Sequence, residues 1–323
     1  MAMFNSARFC AGAVLLTALF SGAVAAAETP TVVVTIKPIH ALVSEIMAGV
    51  GAPVLLVDGA ASPHTFTLRP STARAINDAD IFIRTSDTLE PFTHKIVQSL
   101  PPRVHVLTLA DAPGITLLDQ RQGGTFEPHV HMHSIDDEHD VNAGHDDDED
   151  GKDGHIWLDP QNAKAIVANV TKALAARYPE YAGRFVANAA ALDRRLDALN
   201  QEIATELSRA RDKPFIVFHD ATQYFENRYG LNAVGSITVS PDIPPSARRL
   251  TEVRRKIASL GAVCVFSEPD FQPKLISAVT EATAARSGTL DAEGLMLTPG
   301  PELYFDLMHD LARNLARCLN TAS

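Results

Sequence analysis

The sequence has no basic patch. Its 323 residues carry 28 Lys and Arg against 39 Asp and Glu, a formal net charge of −11. Nucleic-acid surfaces need clustered positive charge, so that class of partner is excluded. Long apolar runs are missing too. The one candidate, residues 9–20, is too short to span a bilayer, and small residues follow it. Hydrolase signatures are absent: there is no H-E-x-x-H, no G-x-S-x-G and no phosphate-binding glycine loop. Cysteine is sparse, with three in the chain.

The acidity that is present is local. Residues 127–153 hold 11 acids and one lysine, and the rest of the chain is nearly neutral, with 28 acids against 27 bases. The stretch reads EPHVHMHSIDDEHDVNAGHDDDEDGKD and carries five of the 12 histidines. Its acids repel one another, and its apolar content is too low to offset ordering entropy. It reads as a mobile loop inserted into a folded lobe. His129, His131 and His133 alternate with Val130 and Met132. That spacing grips a metal with few residues, and the surrounding carboxylates concentrate cations. A segment that must order to bind loses affinity. These three are therefore expected as accessory metal ligands; a solvated acidic loop with no metal role is the other reading.

The N-terminus reads as a secretory signal. Arg8 supplies the positive start, residues 9–20 the apolar core, and Ala25-Ala26-Ala27 a cleavage site near Ala27. Processing removes Cys10 and leaves Cys264 and Cys318. In an oxidising compartment an even pair favours a disulfide, with two buried free thiols as the alternative.

The first half alternates strands and helices. TVVVTI, VLLV, DIFIR and residues 104–107 are strand-like. Between them lie helical patterns at PIHALVSEIM, 72–77 and 88–100. This is the signature of a parallel sheet. Order resumes after the acidic loop at HIWLDPQNAK, where Asp159 suits an N-cap and Pro160 the first helical position. From 179 to 210, Phe185, Ala189, Leu192, Leu196, Leu199, Ile203 and Leu207 recur every three or four residues. One apolar face that continuous predicts one long helix, about 45–50 Å at ~1.5 Å per residue. A second alternating set follows, with FIVF, AVGSITV and VCVF as strands and helices over 245–259, 273–285 and 304–318. No internal repeat is obvious in the sequence. The expected architecture is α/β: a leader at 1–27, a first lobe at 28–178, a rigid connecting helix at 179–212 and a second lobe at 213–323.

Three histidines stand at junctions. His64 lies in SPHTFTLRPS, His155 in HIWLDP and His219 in FIVFHD, at the end of a buried strand. Ligands bind at that end of open α/β sheets. Three converging imidazoles would suit Zn²⁺ best among common divalent ions, though Cu and Ni also accept nitrogen. His40, His94 and His309 fall inside helix patterns and read as ordinary helix residues.

These residues carry a resemblance. SPHTFTLRPS, LEPF, the His/Asp-rich loop, HIWLDP, VFHDATQYFENRYGL, CVFSEPDF and TLDAEG together resemble the periplasmic zinc-binding proteins of bacterial ABC importers, the ZnuA type. The likeness covers nearly all the mature chain. It implies two α/β lobes joined by a long helix, with Zn²⁺ in the cleft on His64, His155 and His219. It implies Asp291 or a water as fourth ligand, since Pro63 stands where some relatives place a carboxylate. It implies a disulfide between Cys264 and Cys318. It also implies a periplasmic monomer that serves a membrane permease and meets periplasmic zinc chaperones. Manganese and iron relatives often place a carboxylate at the position of His219, so the histidine there favours zinc. The competing readings are a manganese or iron carrier of the same family, a zinc-dependent hydrolase, and an adhesin or zinc reservoir.

Overall fold

Short β-rich runs, each followed by an amphipathic helix, build two parallel sheets. The computed structural model describes residues 29–59, 61–121, 126, 151–238, 245–269, 273–281 and 283–320. The first sheet contains β1 (Val32–Val34), β2 (Val54–Leu55), β3 (Ile81–Arg84) and β4 (His105–Thr108), in the order β2-β1-β3-β4. The second contains β5 (Phe215–Val217), β6 (Ala233–Ser236), β7 (Cys264–Ser267) and β8 (Arg286–Thr289), in the order β6-β5-β7-β8. Every pairing is parallel. The strands β1, β3 and β5 are buried throughout, as expected of parallel sheets covered by helices.

The two orders are the same topology used twice. In each sheet the first strand lies between the second and the third. The chain therefore reverses direction across the sheet between β1 and β3, and again between β5 and β7. Such a switch point opens a crevice at the carboxyl ends of the strands. The repeat is invisible in the amino-acid pattern and plain in the topology.

The helices follow from local chemistry. α1 (Lys37–Ile46) has a proline in its first turn and buries Ile39, Leu42, Val43 and Ile46. Asp159 caps α4 (Pro160–Arg177) by accepting the Gln161 N–H at 2.9 Å. α2 spans Pro70–Asn77 and α6 spans Gln223–Tyr229. Ser246 caps α7 (Ala247–Leu260), and α8 covers Pro273–Thr280. The helix expected over 88–100 is broken: a 3-10 turn at Pro91–Thr93 leads into a short α3 (His94–Val97).

The connecting helix is shorter than expected. α5 runs over Ala182–Glu206, with 3-10 turns at Pro179–Tyr181 and Leu207–Arg209. Its 25 residues span about 37 Å at ~1.5 Å per residue. Its apolar face is buried from Phe185 to Ile203, against α1 and α4 of the first lobe and α9 (Leu303–Asn320) of the second. A disulfide joins Cys264 of β7 to Cys318 of α9, with Cα atoms 6.2 Å apart. No helix among the described residues is long and apolar enough to cross a membrane.

Two expectations fall outside the described residues: the leader at 1–27 and the histidines His129, His131 and His133. Of the acidic stretch, residues 151–153 are described. Lys152 forms an antiparallel bridge with Asp119, and Asp153 is buried with 3% exposure. The folded chain therefore includes residues that charge pattern alone assigned to the loop.

Candidate metal centre

His219 follows β5 by two residues, at the second lobe's switch point. Glu268 follows the neighbouring strand β7 directly. Its carboxylate accepts the Nδ1–H of His219 at 2.6 Å and the backbone N–H at 3.2 Å. A carboxylate only accepts, so Nδ1 carries the proton and Nε2 faces away from the bond. That Nε2 is buried and has no hydrogen-bond partner.

His155 is arranged the same way by a residue of its own segment. Asp153 accepts its Nδ1–H at 2.7 Å and its backbone N–H at 3.0 Å. Gly154 lies between them under tight constraint. A Cβ there would stand 2.8 Å from Leu89 Cβ and 2.9 Å from Ser86 Oγ. His64 enters from the loop after β2. Its Nε2 lies 3.4 Å from His155 Nε2. The three ring centroids are 5.4, 5.4 and 5.8 Å apart. One ring nitrogen from each histidine lies within 4.8 Å of the other two.

A carboxylate stands beside His64. Glu293 Oε1 is 4.0 Å from His64 Nε2 and accepts the Ser62 hydroxyl at 3.3 Å. Its Oε2 is buried without a partner. The His219 Nε2 and this Glu293 oxygen are thus two buried polar atoms without partners, the kind of atom that a bound cation satisfies. Asp291, which the resemblance offers as a fourth ligand beside a water, already has backbone partners. Its two oxygens accept the backbone N–H groups of Leu295 at 2.9 Å and Met296 at 3.0 Å. It thereby holds the turn that carries Glu293.

Burial and neighbouring charge shift three of these groups. Burial, with His155 and His219 nearby, pushes the His64 pKa well below 6.5, so it is neutral and ready to ligate. Burial alone would lower His219, but the Glu268 carboxylate outweighs it and Glu293 and Asp220 add, raising it to about 9. Burial raises Glu293 to about 8 against the pull of His219. Asp220, beside His219, is held by Arg121, whose Nε donates to it at 2.8 Å and whose Nη1 donates to Glu226 at 2.7 Å.

The lobes meet around this point. Trp157 donates its indole N–H to the Ala292 carbonyl at 3.0 Å, and Tyr304 donates its hydroxyl to the Trp157 carbonyl at 2.8 Å. Tyr224 donates to the Asp153 carbonyl at 2.7 Å. Arg228 grips Asp159 through two hydrogen bonds of 2.6 and 2.7 Å. The roles of Asp153, Glu268 and Glu293 were missed from the sequence. The only signal was position: two residues before a candidate histidine, directly after a strand, and within TLDAEG.

The profile described as zinc-uptake complex component A, periplasmic, matches residues 32–318. The chain belongs to the ZnuA family. The high-affinity zinc uptake system protein ZnuA of Brucella suis is 45% identical, over 98% of each chain. That of Paracoccus denitrificans is 38% identical, over 95% of this chain and 97% of its own. Among solved structures, the laminin-binding protein Lmb of Streptococcus agalactiae aligns with a TM-score of 0.72 and 25% identity, over 89% of this chain and 98% of that one. It is described as bifunctional, with adhesin and metal-transporting activity. ZnuA-type proteins are uptake components, and the two α/β lobes described here are their fold.

Proposed function

We propose that this protein captures a zinc ion in the periplasm and delivers it to the membrane permease of an ABC importer. The observation that carries the proposal is the trio of histidine nitrogens within 4.8 Å of one another. With Glu293 as the fourth donor, the set is three nitrogens and one oxygen. Zinc favours four-coordinate sites of that kind, while manganese and other harder ions prefer mostly oxygen. His64 and His155 come from the first lobe, and His219 and Glu293 from the second. The ion would therefore bridge the lobes and stabilise the bound form by its own binding energy.

The names of the Brucella and Paracoccus relatives support zinc as cargo. Capture fits better than hydrolysis, because the chain has no hydrolase motif. The protein would be made with a leader cleaved near Ala27 and act as a monomer. His129, His131 and His133 would collect zinc weakly and pass it inward, and periplasmic zinc chaperones would be a further source. Anomalous diffraction at the zinc edge tests the ligand set. One strong peak within bonding distance of His64, His155, His219 and Glu293 is expected. A peak elsewhere, with the trio empty, refutes it.

A further inference from the structure

Lys37 is the first residue of α1 and is buried, with 4% exposure. Local helix chemistry does not account for it, because a cation at a helix N-terminus opposes the macrodipole. A buried ammonium must have its protons taken up. Its Nζ lies 2.8 Å from the carbonyl of Leu295, 3.2 Å from that of Leu297 and 3.3 Å from that of Gly294. Three donors thus meet three acceptors. All three acceptors belong to the second lobe, in the turn that carries Glu293.

That turn is held at several points. Asp291 accepts two of its N–H groups, and Trp157 holds the Ala292 carbonyl. Gly294 reverses the chain at φ +69, a conformation that favours glycine. The Glu293 carboxylate itself has one hydrogen bond, the 3.3 Å contact with Ser62. Its place beside His64 is therefore set mainly by its backbone, and Lys37 anchors that backbone across the lobe interface.

We propose that Lys37 is a positioning residue for the metal site: by gathering the carbonyls of Gly294, Leu295 and Leu297, it holds the turn at the depth where Glu293 reaches the ion. The proposal rests on Glu293 as the fourth ligand. It implies that Lys37 acts on zinc through Glu293 and by no other route.

The test compares Lys37→Met, Glu293→Gln and the double variant in the full mature chain. Zinc affinity is read by chelator competition, and coordination by the visible spectrum of the Co²⁺-loaded protein. Each single change is expected to weaken zinc by about tenfold. The double variant should be no weaker than either single one, the mark of a shared interaction. The Co²⁺ spectrum of Lys37→Met should match that of Glu293→Gln. Additive losses, or a wild-type Co²⁺ spectrum in Lys37→Met, overturn the role of Lys37 while leaving Glu293 as ligand. A Glu293→Gln variant that matches wild type in both readouts removes Glu293 as ligand, and the Lys37 proposal falls with it. If Lys37→Met does not fold, Lys37→Arg serves. Its planar fork keeps the charge but cannot converge on three carbonyls, so its spectrum should move towards that of Glu293→Gln; no movement overturns the proposal.

Discussion

A protonated His219 would have to lose a proton to ligate an ion. Its pKa of about 9 and that of Glu293, about 8, both lie above neutrality. Raised values favour bound protons at pH 7, which a metal ligated by these groups would displace. Zinc binding at pH 7 should release about one to two protons, and affinity should tighten as pH rises from 6 to 8. Calorimetry in buffers of different ionisation enthalpy counts them; an affinity flat over that range contradicts the assignment. The supporting carboxylates are a second case. Glu268→Ala or Asp153→Ala removes the acceptor that fixes an imidazole, and zinc affinity should fall about 10–100-fold. An unchanged affinity in a chelator titration would show that the rings need no such support. The candidate histidines were legible because each stands where a strand or loop gives way to a helix. Glu268 was not, since its partnership with His219 depends on β5 and β7 being neighbours, which no local pattern states. Asp291 and Glu293 differ by two positions, and only the turn decides which carboxylate is spent on backbone N–H groups.

At the scale of elements, periodicity was read well and ends were read poorly. The apolar face of α5 was plain from its spacing. Its limits were not, because Pro179 lacks an N–H and disfavours helix in the residue before it, leaving a 3-10 turn where a full helix was expected. The strand β8 went unseen, since Arg-Ser-Gly-Thr has neither alternation nor bulk. It becomes a strand by pairing with β7, where Gly288 lies against the Phe266 ring. The disulfide ties this same region to α9, across a sequence separation of 54 residues. Replacing both cysteines by serine should cost about 2–4 kcal/mol through the larger freedom of the unfolded chain. Chemical denaturation with and without the bond measures it; equal midpoints would mean that the bond does not constrain the unfolded state. Since Glu268 directly follows β7, a loosened β7 should also weaken the hold on His219.

At the scale of the molecule, the lobes are tied by contacts outside the histidine trio. Trp157, Tyr224, Tyr304, Arg121, Arg228 and Lys37 all cross between them, and α5 packs against helices of both. Large hinge motion would break many of these contacts at once. Solution scattering of zinc-free and zinc-loaded protein should therefore differ by less than about 1 Å in radius of gyration; a larger contraction contradicts a pre-set cleft. The two-lobed plan was legible from alternating strands and helices, but the repetition of one topology was not, because parallel order is written in pairing. The acidic stretch dominates the net charge of the chain, yet the site proposed for zinc lies in the folded cleft. The direct test is a chelator-competition zinc titration on mature protein lacking residues 127–150, beside full-length protein with His64→Ala and His219→Ala. One tight site that survives the deletion and disappears in the double variant is the expected result. Tight binding that disappears with the deletion and survives in the double variant would place the working site in the acidic stretch and contradict capture in the cleft.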